Sequence, residues 1–235
     1  MSVTNFKKIF ISCFLPYFFL GCTFIILICL GLWQMHRASE KSQIMYRYLA
    51  QQEQSVQDWN SSLPLPKQFA RVLLKGVVRP ERLYLDNQFD KHQVGYNVLV
   101  PVEVEENKVV LVDMGWIASL QNRQQLPHVN IDMQQVKWQG TAYYPQLSSL
   151  DLGQFVDLHQ GQLYRIERLN MKNVSKVLNQ HVYPWVLRLS ADQPKELKRE
   201  WSLIAVSPQR HHAYALQWFL MALIVFIIIL WRIVK

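Results

Sequence analysis

Two long apolar stretches without charged residues lie close to the two ends of the chain. The first runs from Ile9 to Leu32 and the second from His211 to Trp231. A helix rises about 1.5 Å per residue and needs about 20 residues to cross the hydrocarbon of a bilayer. The pattern therefore predicts two transmembrane helices, and it fits a purely soluble protein poorly.

The segment between these stretches is long enough for one compact domain with its own core. We divide the chain into a tail (1–8), a first span (9–32), a domain (33–210), a second span (211–231) and a second tail (232–235). Two spans place both tails on one side of the membrane and the domain on the other. Short basic tails without acidic residues favour the cytoplasm, so the domain is expected to be extracytoplasmic.

The first span is expected to be an uncleaved anchor. Its apolar run is too long for the core of a secretory signal, and Gly31 to Gln34 offer no small-residue cleavage site. The eight residues before it are too few for an Arg-rich, Ser-rich organelle transit sequence. We therefore expect a bacterial inner membrane rather than a mitochondrial one.

The helix of the first span is expected to continue for several turns beyond the membrane. No proline or glycine interrupts residues 39–59, and apolar side chains recur there at helical spacing. The next segment, Ser61 to Pro66, is predicted to be a loop because prolines break regular structure. The helical positions are Ile44, Met45, Tyr48 and Leu49.

Beyond this loop the apolar pattern changes to a period of two. Apolar residues occupy alternate positions from Tyr96 to Val104, which predicts a strand with one buried face. The polar residues Glu106 to Lys108 form a short turn into Val109 to Val112. This segment is therefore the strongest hairpin signal in the chain.

Further strands and one short helix complete the predicted domain. Asn170 is positioned to cap a helix through Leu178, with Val174 and Val177 on its inner face. The predicted fold class is two transmembrane α-helices, N- and C-terminal, flanking a mainly antiparallel β (α+β) extracytoplasmic domain. The other predicted strands are Phe69–Val78, Arg82–Asp86, Val136–Tyr144, Gln162–Ile166 and Pro184–Leu189.

Charge and cysteine content narrow the possible functions. The net charge is +8, but both signs are mixed through the domain and form no basic block, so nucleic acid is set aside as a partner. All three cysteines lie in the first apolar stretch, so the domain has neither disulfides nor a thiolate zinc site. Cys22 and Cys29 share a helix face, as a soft metal pair would, although small buried apolar side chains are the simpler interpretation.

Motifs that carry enzymatic chemistry are missing from the sequence. There is no Gly-rich phosphate loop, no His-Glu-x-x-His, no Gly-x-Ser-x-Gly and no Cys-x-x-Cys. We therefore expect no catalytic residues and no enzymatic activity. Four widely spaced histidines of the domain are interpreted as surface or packed side chains: His92, His128, His159 and His181.

Polar and aromatic side chains gather where both spans meet the domain. Because antiparallel spans bring these faces to one interface, they form a candidate site with an imidazole, aromatic walls and cations. Such a site suits an axial bond to haem iron, with propionates neutralised by Arg37 or Lys41. Aromatic and basic residues also gather at membrane interfaces without any ligand. The faces carry Trp33, Arg37 and Lys41 on the first helix, and His211, Tyr214 and Trp218 on the second.

Four segments, in order, resemble those of the Surfeit locus protein family. The end of the first span, Gly31-Leu32-Trp33-Gln34-Met35-His36-Arg37 with Lys41, is similar to the family's Gly-x-Trp-Gln-x-x-Arg. Gly95-Tyr96 with Pro101 resembles its Gly-Tyr-to-Pro strand, and Leu111 to Ile117 resembles its Val-Asn-Arg-Gly-Trp segment. His211-His212-Ala213-Tyr214-Ala215-Leu216-Gln217-Trp218 resembles the His-x-x-Tyr-Ala-x-Gln-Trp opening of its second span.

The resemblance implies a role in assembly of the haem-copper terminal oxidase, cytochrome c oxidase. Oxidase subunit I and other oxidase assembly factors would be the partners, besides membrane lipid. Haem a would be the bound group, and the alternative is a membrane scaffold without cofactor that stabilises oxidase subunits. The implied site consists of His211 as iron ligand with His212 as a substitute, Trp33, Tyr214 and Trp218 as walls, and Arg37 as propionate partner.

Two positions differ from the motifs of the Surfeit locus protein family. Met114 stands where arginine is usual, and Ala118 stands where proline often follows Trp-Ile. If that arginine contacts a partner or a propionate, this chain has lost the contact. The role of the Gly115-Trp116 turn is therefore left open by the sequence.

Overall fold

The structure, a computed structural model, describes residues 3–131, 135–145, 155–191 and 197–234, with side chains from residue 15 onward. Long helices stand at both ends of the chain, and strands with one short helix lie between them in sequence. In chain order the elements are α1 (Val3–Gln52), β1 (Gln57–Trp59), β2 (Arg71–Val78), β3 (Arg82–Asp90), β4 (Gln93–Glu105), β5 (Lys108–Ala118), β6 (Gln135–Tyr143), β7 (Val156–Gln160), β8 (Leu163–Ile166), α2 (Met171–Leu178), β9 (His181–Leu189) and α3 (Pro208–Val234).

Helices α1 and α3 confirm the two predicted apolar helices. Both are long and apolar enough to cross a membrane, over Leu15–Gln52 and Pro208–Val234, which fits a two-pass membrane protein. As predicted, α1 continues well beyond the first apolar stretch. It ends at Gln52, however, and the residues of β1 are extended, so the helical interpretation of residues 39–59 is wrong for its last part.

The chain forms two compact units. One consists of Met1–Tyr46 with Ser202–Lys235, and the other is Arg47–Trp201. The first unit contains most of α1 and all of α3. The second contains the strands and α2.

The strands form one mixed sheet in the order β1-β2-β6-β9-β5-β4-β3-β8-β7. A further pairing of β2 with β4, through Val77 and Val78, closes β2, β6, β9, β5 and β4 into a ring. Most neighbours are antiparallel, as predicted, but β1–β2, β3–β8 and β5–β9 are parallel. The parallel partners of β3 and β5 come from distant parts of the chain, so alternation within one segment does not reveal them.

Two apolar clusters stabilise this unit, one lining the ring and one on the outer face of the sheet. The inner cluster includes Trp59 and Trp185, whose ring centroids lie 5.1 Å apart at nearly a right angle. Helix α2 covers the outer cluster, and its N-cap is Asn170, as predicted. The buried members of the outer cluster are Leu83, Leu99, Val109, Leu111, Ile166, Val174, Leu178, Val182 and Val186.

Strand β4 is buried on both faces because the sheet carries a cluster on each side. Val98 and Val100 belong to the inner cluster, whereas Leu99 between them belongs to the outer one. The alternating valines correctly predicted the strand and its inner face. The prediction of a single buried face is wrong, because Leu99 and Pro101 are also covered.

Predicted strand boundaries deviate where the backbone is irregular. Strand β2 begins at Arg71 rather than Phe69, whose φ of 68° lies in the left-handed region. Strand β9 begins at His181 and passes through Pro184, because the register with β5 shifts there and accommodates a residue without an N–H. The hairpin of β4 with β5 is confirmed, whereas the short strands β1 and β7 escaped prediction.

A bulge interrupts β5 within its motif segment. Met114 and Gly115 together face a single residue of β4. Gly115 has a φ of 124°, and a Cβ at this position would lie 2.6 Å from the carbonyl oxygen of Lys198. Gly115-Trp116 is therefore part of a strand and not a turn, which corrects the prediction, and the close approach of Lys198 requires glycine.

Replacement Gly115→Ala is expected to destabilise this unit by about 2–4 kcal/mol, because the methyl group meets a backbone oxygen at a strained φ. Gly161→Ala is the matched control, since Gly161 also has a positive φ, of 62°, but a Cβ there meets nothing within 4 Å. A loss of only about 1 kcal/mol is expected for the control. Unfolding of both full-length variants in detergent, followed by tryptophan fluorescence, gives the comparison; equal losses would contradict the contact with Lys198.

Candidate functional site

Helices α1 and α3 run antiparallel and pack together within the first unit. The Tyr17 hydroxyl donates to the carbonyl of Arg232 at 3.1 Å, and the rings of Phe24 and Phe226 lie 5.7 Å apart. The outgoing end of α1 thus lies beside the incoming end of α3. Small buried residues line both helices and let the backbones approach: Gly31, Ala38, Ala215 and Ala222.

The start of α3 decides which of two adjacent histidines faces α1. Pro208 occupies the first helical position, where a missing N–H is tolerated, and the Ser207 hydroxyl accepts from the amide of Arg210. With the helix fixed in this way, His211 is half-buried and His212 is exposed. His211 is therefore the imidazole that the helix pair holds.

The Nδ1 atom of His211 lies 2.8 Å from the side-chain oxygen of Gln34. An amide oxygen only accepts, so this bond requires a proton on Nδ1, and in the neutral form of the ring Nε2 then keeps its lone pair. No role was predicted for Gln34, although its spacing from Gly31 and Ala38 is that of a residue on the inward face of α1. That spacing is the signal that identifies it.

Trp33 and Arg37, the predicted wall and propionate partner, lie on a more exposed face of α1. Trp33 is 50% exposed, and the guanidinium carbon of Arg37 lies 5.7 Å from the centroid of its ring. Arg37 also forms an ion pair with Glu40 at 2.9 Å, and such exposed pairs contribute little energy. The structure thus brings Gln34, and not Arg37, to the imidazole nitrogen.

Helical geometry nevertheless places the predicted residues on one flank of the helix pair. At about 100° per residue, Trp33 and Arg37 are rotated to one side of Gln34. Because α3 is antiparallel, Tyr214 and Trp218 are rotated from His211 towards the same side. Along the axes, Arg37 and Lys41 lie beyond Gln34 towards the polar end of the pair, whereas Tyr214 and Trp218 lie beyond His211 towards the apolar part.

The donor set of this flank fits a haem with propionates. A neutral imidazole with an available Nε2 is a common axial ligand of haem iron, and the other ring N–H of such ligands is usually held by an oxygen. Arg37 and Lys41 supply positive charge for carboxylates. Among the described residues, no group of three or more His, Cys, Asp or Glu is placed to hold a metal ion by itself.

The four histidines of the β unit are exposed, in line with their interpretation as surface side chains. The ring of His159 stacks on Tyr164 with the centroids 4.4 Å apart. The ring of His181 meets Tyr183 edge-on. These contacts belong to the surface of the sheet and do not add to the candidate site on the helices.

A second group of polar residues lies around the bulge of β5. The buried carboxylate of Asp113 accepts from the amide of Asn97 at 3.0 Å and from the N–H of Gly115 at 3.2 Å. Burial raises the pKa of the Asp113 carboxyl to about 6, although the neighbouring Arg188 guanidinium opposes the rise. The guanidinium of Arg188 stacks on Tyr143 at 3.5 Å.

The two residues that differ from the motif of the Surfeit locus protein family, Met114 and Ala118, lie at the bulge and at the end of β5. The side chain of Met114 is buried in the inner cluster, and its carbonyl accepts from Nε of Arg199 at 2.8 Å. A guanidinium therefore reaches this backbone from another part of the chain. Ala118 is exposed at the end of β5. The backbone N–H of Trp116 donates to the carbonyl of Lys198 at 2.7 Å.

Replacement Asp113→Asn is expected to flatten the dependence of stability on pH. A carboxyl whose pKa is raised from 3.8 to about 6 stabilises the folded state below pH 4, and this contribution is lost as pH rises through 6. Such a change in pKa corresponds to roughly 3 kcal/mol. The melting temperature of the full-length protein in detergent should therefore fall from pH 4.5 to pH 7 in the wild type and fall less in the variant.

Asp58→Asn serves as the control, because Asp58 is an exposed carboxylate paired with Lys75. In Asp113→Asn, the side-chain amide of Asn97 can rotate so that its oxygen accepts a hydrogen bond from the new amide. This bond replaces the one that the Asp113 carboxylate accepted from Asn97. An equally steep pH dependence in Asp113→Asn and in Asp58→Asn would argue against a buried, proton-binding Asp113.

Comparison with known proteins agrees with this architecture. A family model described as SURF1 family matches residues 21–223, which include all four motif segments. A SURF1-like protein of Rickettsia bellii is 29% identical over 105 residues, which is 41% of this chain and 41% of that relative. The aligned part therefore spans less than half the length of the relative. Because the family match covers most of the chain, including the whole mixed sheet and the facing ends of α1 and α3, the chain belongs to the SURF1 family.

Proposed function

We propose that this protein is a membrane assembly factor for the haem-copper terminal oxidase, and that it holds haem a for delivery to oxidase subunit I. Family membership supports the role in oxidase assembly. The single observation that supports the haem step is the contact of Gln34 with Nδ1 of His211, which leaves Nε2 as an available donor.

Each residue of the flank has a stated task in this proposal. His211 would hold the iron through Nε2, and Trp33, Tyr214 and Trp218 would supply aromatic surface for the macrocycle. Arg37 exchanges its weak surface pair with Glu40 for a haem propionate. The haem is cargo, and the protein makes or breaks no covalent bond.

The proposed setting is a bacterial inner membrane with both termini in the cytoplasm. The helix ends that carry His211 and Gln34 then lie at the outer boundary of the bilayer. The β unit would contact oxidase subunits or other assembly factors outside the cytoplasm. Sidedness is testable by cysteine labelling of Ser62→Cys in intact cells, because Ser62 is exposed in the loop after β1.

A second candidate function is a scaffold that binds oxidase subunits without a cofactor. It is favoured by the partners that two residues predicted to bind haem already have in the protein. His211 bonds to Gln34, and Arg37 pairs with Glu40. In this version the two helix ends serve only to hold α1 and α3 together. Deletion of the protein lowers oxidase content in both versions, so deletion alone does not separate them.

The absorption spectrum of protein purified from cells that make haem a separates the two functions. We expect a haem spectrum in the wild type and its loss in the double variant His211→Ala with His212→Ala. His36→Ala is the matched control, because His36 is an exposed histidine on α1 that pairs with Glu40 at 3.2 Å. Wild-type protein without pigment, or a double variant with an unchanged spectrum, would refute haem binding at this site.

A further inference from the structure

Gln34 combines two properties that are rare on the described part of α1. It is a polar residue on the packed face, one turn from Gly31 and one turn from Ala38, both buried. Its side-chain oxygen points at a ring nitrogen on the other helix, 177 positions away in sequence. The neighbouring motif residues Trp33 and Arg37 are exposed by comparison.

The contact fixes the chemistry of the imidazole. An imidazole side chain in water favours the form that is protonated on Nε2, which cannot donate a lone pair from that atom. A bond from Nδ1 to an amide oxygen favours the opposite form and also limits rotation of the ring. Without Gln34, the ring would lose both preferences.

We propose that Gln34 is a positioning residue that sets the tautomer and orientation of His211, so that Nε2 is directed to a ligand. The tautomer itself depends only on the contact between the two side chains. Its use for binding haem iron rests on the proposed function. The proposal therefore has one part that is tested without haem and one part that is tested with it.

The first test uses the full-length protein without haem, labelled with nitrogen-15 on histidine. The nitrogen chemical shifts of His211, identified by their loss in His211→Ala, report which ring nitrogen carries the proton. We expect Nδ1–H in the wild type and in Gln34→Glu, whose carboxylate accepts the same bond. In Gln34→Leu, which fills a similar volume without an acceptor, we expect a change to Nε2–H.

Gln217→Leu is the matched control for this test, because Gln217 is an exposed glutamine six residues after His211 on α3. It should leave the signals of His211 unchanged, and Gln34→Leu should leave those of exposed His212 unchanged. An Nε2–H form in the wild type, or an unchanged tautomer in Gln34→Leu, would overturn the proposal.

The second test titrates the same detergent-purified variants with haem and measures affinity and midpoint potential. Loss of an outer-shell partner of a metal-bound histidine typically costs about 10- to 100-fold in affinity, so this weakening is expected for Gln34→Leu. Gln34→Glu should keep most of the affinity and lower the midpoint potential, because a carboxylate makes the imidazole a stronger electron donor. Gln34→Leu should raise the midpoint potential, because the imidazole without an acceptor at Nδ1 is a weaker electron donor. A purely structural role would not shift the potential in opposite directions for Glu and Leu.

The two tests separate failure of this inference from failure of the proposed function. If wild-type protein binds no haem but shows the predicted tautomers, haem binding fails and the positioning by Gln34 stands. If His211→Ala abolishes haem binding while Gln34→Leu changes neither affinity nor potential, haem binding stands and the inference about Gln34 is wrong.

Discussion

The packing of α1 against α3 depends on one contact between polar side chains, Gln34 and His211, within an otherwise apolar helix pair. Helices of this length and composition offer few partners for an amide or an imidazole, and an unsatisfied polar group in such surroundings is costly. The side chains of Gln34 and His211 satisfy each other by forming a hydrogen bond across the helix pair. Gly31 permits the necessary approach, since a Cβ at its position would lie 2.5 Å from the ring of Phe219.

The contact between Gln34 and His211 is compatible with both proposed functions, which differ in the role of one atom, Nε2 of His211. In a scaffold, the bond satisfies two polar groups and the Nε2 atom of His211 has no further task. In a haem carrier, the bond leaves Nε2 as a donor beside a flank whose rings lie towards the apolar end and whose cations lie towards the polar end. Arg37 fits the second view because its pair with Glu40 is exposed and therefore weak.

Much of the architecture follows from local sequence pattern, and the exceptions have physical causes. Apolar stretches revealed both helices, and the alternating residues around Val98 revealed β4, because both signals are local. The parallel neighbours of β3 and β5 and the second buried face at Leu99 depend on residues far away in sequence. At the candidate site, His211 and Trp33 stand out by residue type, whereas the role of Gln34 depends on a partner across the helix pair and is not visible from one helix.

The motif segments divide into residues that permit close contact and residues that carry chemistry. Gly31 lies against Phe219, Gly95 against the ring of Trp116, and Gly115 against the backbone of Lys198. Two hydrogen-bonded polar pairs lie close in sequence to these glycines: Gln34 with His211 in the helix pair, and Asp113 with Asn97 at the bulge. A substitution at such a glycine therefore acts on the chemistry indirectly, by moving the backbone that holds the polar group.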